Sequence, residues 1–118
     1  MPHGVLVFLG GGLGATLRWA TGLVWAGPWG VWAVNVLGSA LLAALAHPDV
    51  DAPPTWRALL GTGVLGGFTT YSTFNLDVLT LLQRGRPVAA LALVAATSLG
   101  CLAGAALAYA VTGRLARP

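Results

Sequence analysis

The sequence predicts an all-α membrane protein, a single domain of four transmembrane helices, on three observations. Of its 118 residues, 57% are hydrophobic and only 8% charged, where an ordinary soluble domain carries about 25% charged residues. The mean hydropathy is +0.81. The apolar residues gather into four stretches, 5–25, 29–46, 59–82 and 88–112, each near or above the about 20 residues that cross a hydrocarbon core about 30 Å thick. Backbone groups in lipid need internal partners, and without an alternating strand pattern an α-bundle meets that need where a β-barrel does not.

The first stretch is too long for a signal-peptide core, and no small-residue cleavage site follows a charged leader, so it is read as a retained span. Its run Gly10-Gly11-Gly12-Leu13-Gly14-Ala15 fits a dinucleotide-binding fingerprint in spacing only. That fingerprint needs a βαβ unit and an acidic residue about 20 positions on, and neither follows. Glycines four apart, Gly10 and Gly14 here and Gly100 and Gly104 in the fourth stretch, read as small faces that let helices approach closely. Cys101, the one cysteine, forbids an internal disulfide and reads as a small buried apolar residue.

The linkers are short: Ala26-Gly27-Pro28, the proline-rich segment 47–55 and Arg84-Gly85-Arg86-Pro87. Short connections make spans one and two antiparallel neighbours, and likewise three and four. Trp19, Trp25, Trp29, Trp32 and Trp56 lie mostly at span ends, as an interfacial belt requires.

The net charge of +3 comes from scattered arginines with no basic face, so nucleic acid is not an expected partner. With an even number of spans, Arg57, Arg114 and Arg117 share one side of the membrane, and Arg84 and Arg86 the other. Orientation follows such biases, and this one is close to none, so the chain is able to insert both ways up. The chain has no internal repeat of the kind from which transporters build inverted symmetry; two opposed copies supply it. Four short helices also enclose little volume, so a pathway through the membrane needs more than one chain.

The third stretch carries the unusual chemistry. Its midpoint is the sequence Gly66-Gly67-Phe68-Thr69-Thr70-Tyr71-Ser72-Thr73-Phe74, with five consecutive hydroxyl side chains after two glycines. The glycines weaken the helix and hydroxyls compete for its backbone groups, predicting a break at Gly66-Gly67 near mid-membrane. Broken backbone is tolerated there only when buried in protein or lining a wet cavity. The plainer alternative is that each hydroxyl bonds back to the carbonyl four residues earlier.

Asn35, a third of the way into span two, is either an interhelical amide clamp or a pathway ligand whose amide donates to an anion. Arg18 either snorkels to the interface or lines an anion vestibule. Asp77 pairs with Arg18 or caps a broken half-helix. No carboxylate lies in spans one, two or four, no nucleophile has an adjacent base, and His3 and His47 lack metal-ligand spacing, so neither catalysis nor proton coupling is expected.

Three motifs together resemble the Fluc/CrcB fluoride channel family: Gly11-Gly12-Leu13-Gly14-Ala15-Thr16-Leu17-Arg18, then Asn35-Val36-Leu37-Gly38-Ser39, then the stretch from Gly63 to Phe74. The resemblance covers essentially the whole chain. It implies an antiparallel, dual-topology homodimer in the cell (inner) membrane, with two fluoride pores, each built from both copies, exporting fluoride passively. It also implies that Asn35 and the rings of Tyr71 and Phe74, flanking Ser72 and Thr73, line the pore, with Ser98 and Thr97 continuing a polar track. A structural, non-transported Na⁺ is implied at the dimer centre, on the backbone carbonyls of Gly66 and Thr69. The sequence departs from the family's usual pattern at Tyr71, where phenylalanine is usual, and at Val94, where a tyrosine is.

Two other readings compete. A small multidrug exporter shares four spans and dual topology but needs a glutamate in span one, and this chain has no glutamate. A structural subunit of a larger membrane complex leaves the five hydroxyls without a purpose.

Overall fold

The structure, a computed structural model, describes residues 2–117. Its elements are α1 (His3–Val24), α2 (Pro28–Ala46), the single turn α3 (Pro54–Trp56), a π-helical segment (Arg57–Leu65), α4 (Gly66–Phe68), α5 (Tyr71–Gln83) and α6 (Pro87–Ala116). There is no strand among the described residues. Prolines open α2, α3 and α6, where a missing N–H costs nothing and φ is preset. Gly27 and Gly85 take positive φ, 96° and 69°, in the two turns that reverse the chain without a Cβ penalty.

The long axis measures 50 Å, and a bilayer with its headgroups is about 40–45 Å thick. The 30 residues of α6 run roughly 45 Å at 1.5 Å per residue. By length and composition, α2 and α6 are each apolar enough to cross a membrane.

Chain neighbours are not the main packing partners. The most extensive contacts join α2 to α6 and α1 to the π segment and α4, whereas α1 meets α2 over a small area. Loop length brings consecutive helices near each other, but the small-residue faces decide which ones touch. A Cβ on Gly10 would lie 3.0 Å from the Gly63 Cα, and one on Gly14 would lie 2.8 Å from the Phe68 amide nitrogen and overlap the Val64 carbonyl oxygen. On the other pair, a Cβ on Gly100 would lie 3.0 Å from the Trp32 Nε1, and one on Gly104 would lie 3.3 Å from Val36 Cγ1. The spaced glycines are therefore packing faces. Gly14→Ala is expected to destabilise the fold by about 1–3 kcal/mol through overpacking, read as a lower midpoint of thermal unfolding in detergent; an unchanged midpoint would show that α1 has room to move away.

The anticipated break is displaced. Gly66 and Gly67 stay helical in α4, and the extended residues are Thr69 (φ −80°, ψ 156°) and Thr70 (φ −151°, ψ 120°). Gly67 is held against α1, where a Cβ would collide with the Gly11 carbonyl, so it serves close approach, not flexibility. The helix opens where side chains offer the backbone other partners.

The core is small: Val34, Phe74, Ala90 and Leu93 are its buried apolar side chains. Large apolar residues such as Phe8 (79% exposed) and Leu115 (81%) face outward along the helices, the reverse of a soluble fold. Arg57, placed by the sequence on one side of the membrane, also ties down the segment after α2. Its guanidinium donates to the carbonyls of Leu45 (2.8 Å), Val50 (3.0 Å) and Ala52 (3.1 Å).

Candidate functional site: an amide-bridged break beside a cavity

At the break, Asn35 of α2 replaces the interrupted helical ladder. The Thr70 N–H donates to Asn35 Oδ1 at 2.8 Å, and Asn35 Nδ2 donates to the Thr70 carbonyl at 2.9 Å. Both residues are buried, 8% and 6% exposed, so neither bond competes with water and both are costly to lose. In an unbroken helix the Thr70 N–H would bond the Gly66 carbonyl. The Thr73 N–H, which would bond the Thr69 carbonyl, goes instead to Thr70 Oγ1 at 3.2 Å. The Gly66 and Thr69 carbonyls are thereby released from the ladder, with no hydrogen bond from another side chain.

Thr70 is the N-cap of α5, the role for which threonine's oxygen is suited. Its hydroxyl also meets Thr73 Oγ1 at 3.1 Å and Ser72 Oγ at 3.3 Å. Only Thr69 among the five hydroxyls bonds back four residues, to Leu65 at 3.0 Å. Ser72 and Thr73 thus form a capping cluster at the start of α5, and neither borders the cavity beside it.

That cavity, about 300 Å³, is lined by Asn35, Ser39, Thr69, Thr70, Tyr71 and Phe74 on one side and by Thr97, Ser98 and Cys101 of α6 on the other. Asn35, Tyr71, Phe74 and Ser98 are therefore brought together. Phe74 is 6% exposed, whereas the Tyr71 ring is 76% exposed with its centroid 5.7 Å from that of Phe74 and the planes tilted by 38°. The cavity also receives the N-terminus of α5, whose first N–H groups have no partners within the helix and carry the positive end of its dipole.

Sequence reasoning missed Ser39 and the wall position of Cys101, which is half-buried. Helical spacing was the available signal: Ser39 lies four residues after Asn35 and Cys101 four after Thr97, hence on the same faces. The Thr97 hydroxyl is buried with no hydrogen-bond partner. Trp32, assigned to the interfacial belt, instead donates from its indole to the Ala96 carbonyl at 2.9 Å, pinning α2 to α6 one turn from Asn35.

Arg18 and Asp77 do not meet. Arg18 borders a separate cavity of about 60 Å³ with Thr21, Trp25 and Val34, and it forms no ion pair among the described residues. Asp77 does not cap α5, since Thr70 already does; it sits about two turns further along, with one carboxylate oxygen buried and unpartnered. No cluster of metal-ligating side chains occurs among the described residues.

Comparison with known proteins places this arrangement in context. The model of the family described as CrcB-like protein, Camphor Resistance (CrcB), matches residues 5–109. The chain is 45% identical over 115 residues to a protein of Anaeromyxobacter dehalogenans named fluoride-specific ion channel FluC, covering 89% of this chain and 90% of that one. It is 45% identical over 114 residues to the FluC of Rhizobium meliloti, with 87% and 90% covered. It is 46% identical over 113 residues to FluC 1 of Halobacterium salinarum, with 93% and 90% covered.

Proposed function

Because the chain belongs to the CrcB-like family, we propose that it is a passive, fluoride-selective ion channel of the cell membrane, working as an antiparallel homodimer. It is not an enzyme. The observation that carries the reading is the meeting of hydrogen-bond donors at one cavity beside a helix N-terminus. The Asn35 amide uses one of its two protons on Thr70 and keeps the other for an anion. Ser39 and Ser98 hydroxyls border the same space, and the α5 dipole favours negative charge there. The edge of the Phe74 ring, the positive side of its quadrupole, suits a small hard anion where its face does not.

One chain does not complete this site. The cavity of about 300 Å³ is many times the roughly 10–15 Å³ that holds a single water, too wide to strip fluoride of its hydration. A second, inverted copy would narrow the groove and cover apolar faces, and two such grooves would make two pores. Ser72 and Thr73 serve this reading by holding the start of α5 in place.

The reading includes a structural Na⁺ on the Gly66 and Thr69 carbonyls. Its support is chemical: both carbonyls are released from the helical ladder, and neutral hard oxygens suit a small cation. Bound there, the ion would neutralise the oxygens of two broken helices and join the copies. The Thr69 hydroxyl is engaged with Leu65, so its removal should leave such a site intact. Arg18 and Asp77 stay outside the proposed pathway.

The test is fluoride efflux from liposomes holding only this chain, followed with a fluoride electrode. Fluoride should leave without a proton or sodium gradient, since no carboxylate, histidine, lysine or arginine lines the cavity; transport that stops when the proton gradient is collapsed would overturn the channel reading. Tyr71→Phe should retain flux within about twofold, because the exposed ring keeps its edge. A dead Tyr71→Phe protein would assign the conducting role to the hydroxyl.

A further inference from the structure

At the C-terminal end of α6 a separate pocket of about 230 Å³ is lined by His47, Tyr109, Ala110, Gly113, Arg114 and Arg117. His47, the residue that ends α2, is 7% exposed. The Asp49 N–H donates to its Nδ1 at 3.1 Å, so the neutral ring carries its proton on Nε2. That nitrogen has no hydrogen-bond partner and faces α6. Tyr109 fixes the ring, with centroids 4.4 Å apart and planes tilted by 49°. A Cβ at Gly113 would stand 2.8 Å from Nε2, so only glycine leaves room for the imidazole at this depth.

We infer that His47, Tyr109, Arg114 and Arg117 form a receptor for a phosphate group, distinct from the fluoride pathway. The pocket offers an imidazole N–H, a phenol O–H and two guanidinium forks, Arg114 from the last turn of α6 and Arg117 from the extended residue that ends it. Guanidinium forks match phosphate oxygens two at a time. No lining residue is acidic, and the Asp49 carboxylate lies 3.9 Å from the other ring nitrogen. The volume suits a tetrahedral phosphate with a few waters, not a whole lipid. The pocket sits at the end of a span, where bilayer headgroups lie and basic pockets capture their phosphates. The same chemistry accepts a phospholipid phosphodiester or a free phosphate. A simpler role for the arginines, offsetting the negative end of the α6 dipole, requires neither the oriented histidine nor the glycine beneath it.

Thermal unfolding of the purified full chain in neutral detergent tests the assignment. The probes are short-chain phosphatidylglycerol, short-chain phosphatidylcholine and inorganic phosphate at constant ionic strength. Phosphatidylglycerol is expected to raise the unfolding midpoint by about 5 °C more than phosphatidylcholine does, as a ligand well above its dissociation constant would. An equal rise with inorganic phosphate would identify the soluble ion as sufficient; a rise with phosphatidylglycerol alone would identify the lipid. The shift should vanish in Arg114→Gln/Arg117→Gln, both exposed positions, and in Gly113→Ala. It should persist in Arg84→Gln/Arg86→Gln, which removes the same charge from the other side. No shift with either phosphate probe in the unmodified protein, or equal loss in both double variants, would overturn the receptor.

Discussion

Asn35→Asp is expected to suppress fluoride efflux by about three orders of magnitude while leaving helix content unchanged. Asn35 donates to the Thr70 carbonyl and accepts from the Thr70 N–H within a buried contact. Aspartate keeps the acceptor but replaces the donor with an oxygen facing a carbonyl, and each unsatisfied buried group costs about 1–3 kcal/mol. It also puts a negative charge in the cavity. At about 4 Å and an effective dielectric of about 20, that charge repels an anion by about 4 kcal/mol, roughly a thousandfold in rate. Electrode recordings from liposomes, with circular dichroism as the folding control, check it. Flux at the unmodified rate would remove Asn35 from the pathway and leave it a clamp alone.

Phe74→Ile is expected to lower flux by at least about tenfold with assembly intact. The side chain is buried yet borders the cavity, so its apolar bulk supports the core, and the proposed reading gives its ring edge to the ion. Isoleucine preserves most of the bulk, and such exchanges usually cost less than about 1.5 kcal/mol in stability. What it removes is the polarised edge, and losing about 1.4 kcal/mol of ion stabilisation there corresponds to about tenfold in rate. Size-exclusion chromatography in detergent separates the two effects. Undiminished flux from a correctly assembled variant would show that the anion is coordinated elsewhere.

Much of the fold and half of the site are legible in the residues themselves, and the boundary has a physical reason. Long apolar stretches, few charges and no strand alternation are enough to demand helices in lipid, because backbone groups there must find partners within the protein. Glycines four apart announce close packing, since nothing larger leaves room. An amide and a run of hydroxyls among apolar residues announce polar function, because they are too costly to be idle.

Partners across space were decided only in three dimensions. Which helix faces which depended on matching small surfaces, so α1 lies against the π segment and α2 against α6 instead of along their chain neighbours. The break lies at Thr69 and Thr70 and not at the glycines, because Asn35, 35 residues away, supplies the hydrogen bonds that the helix gives up there. Local propensity marks where a helix is weak, and the long-range partner decides where it opens. The same holds for Arg57, Trp32 and His47. Each is an ordinary surface or interfacial residue by its sequence neighbourhood, and each acquires its role from a carbonyl, ring or glycine that only the folded chain brings within reach.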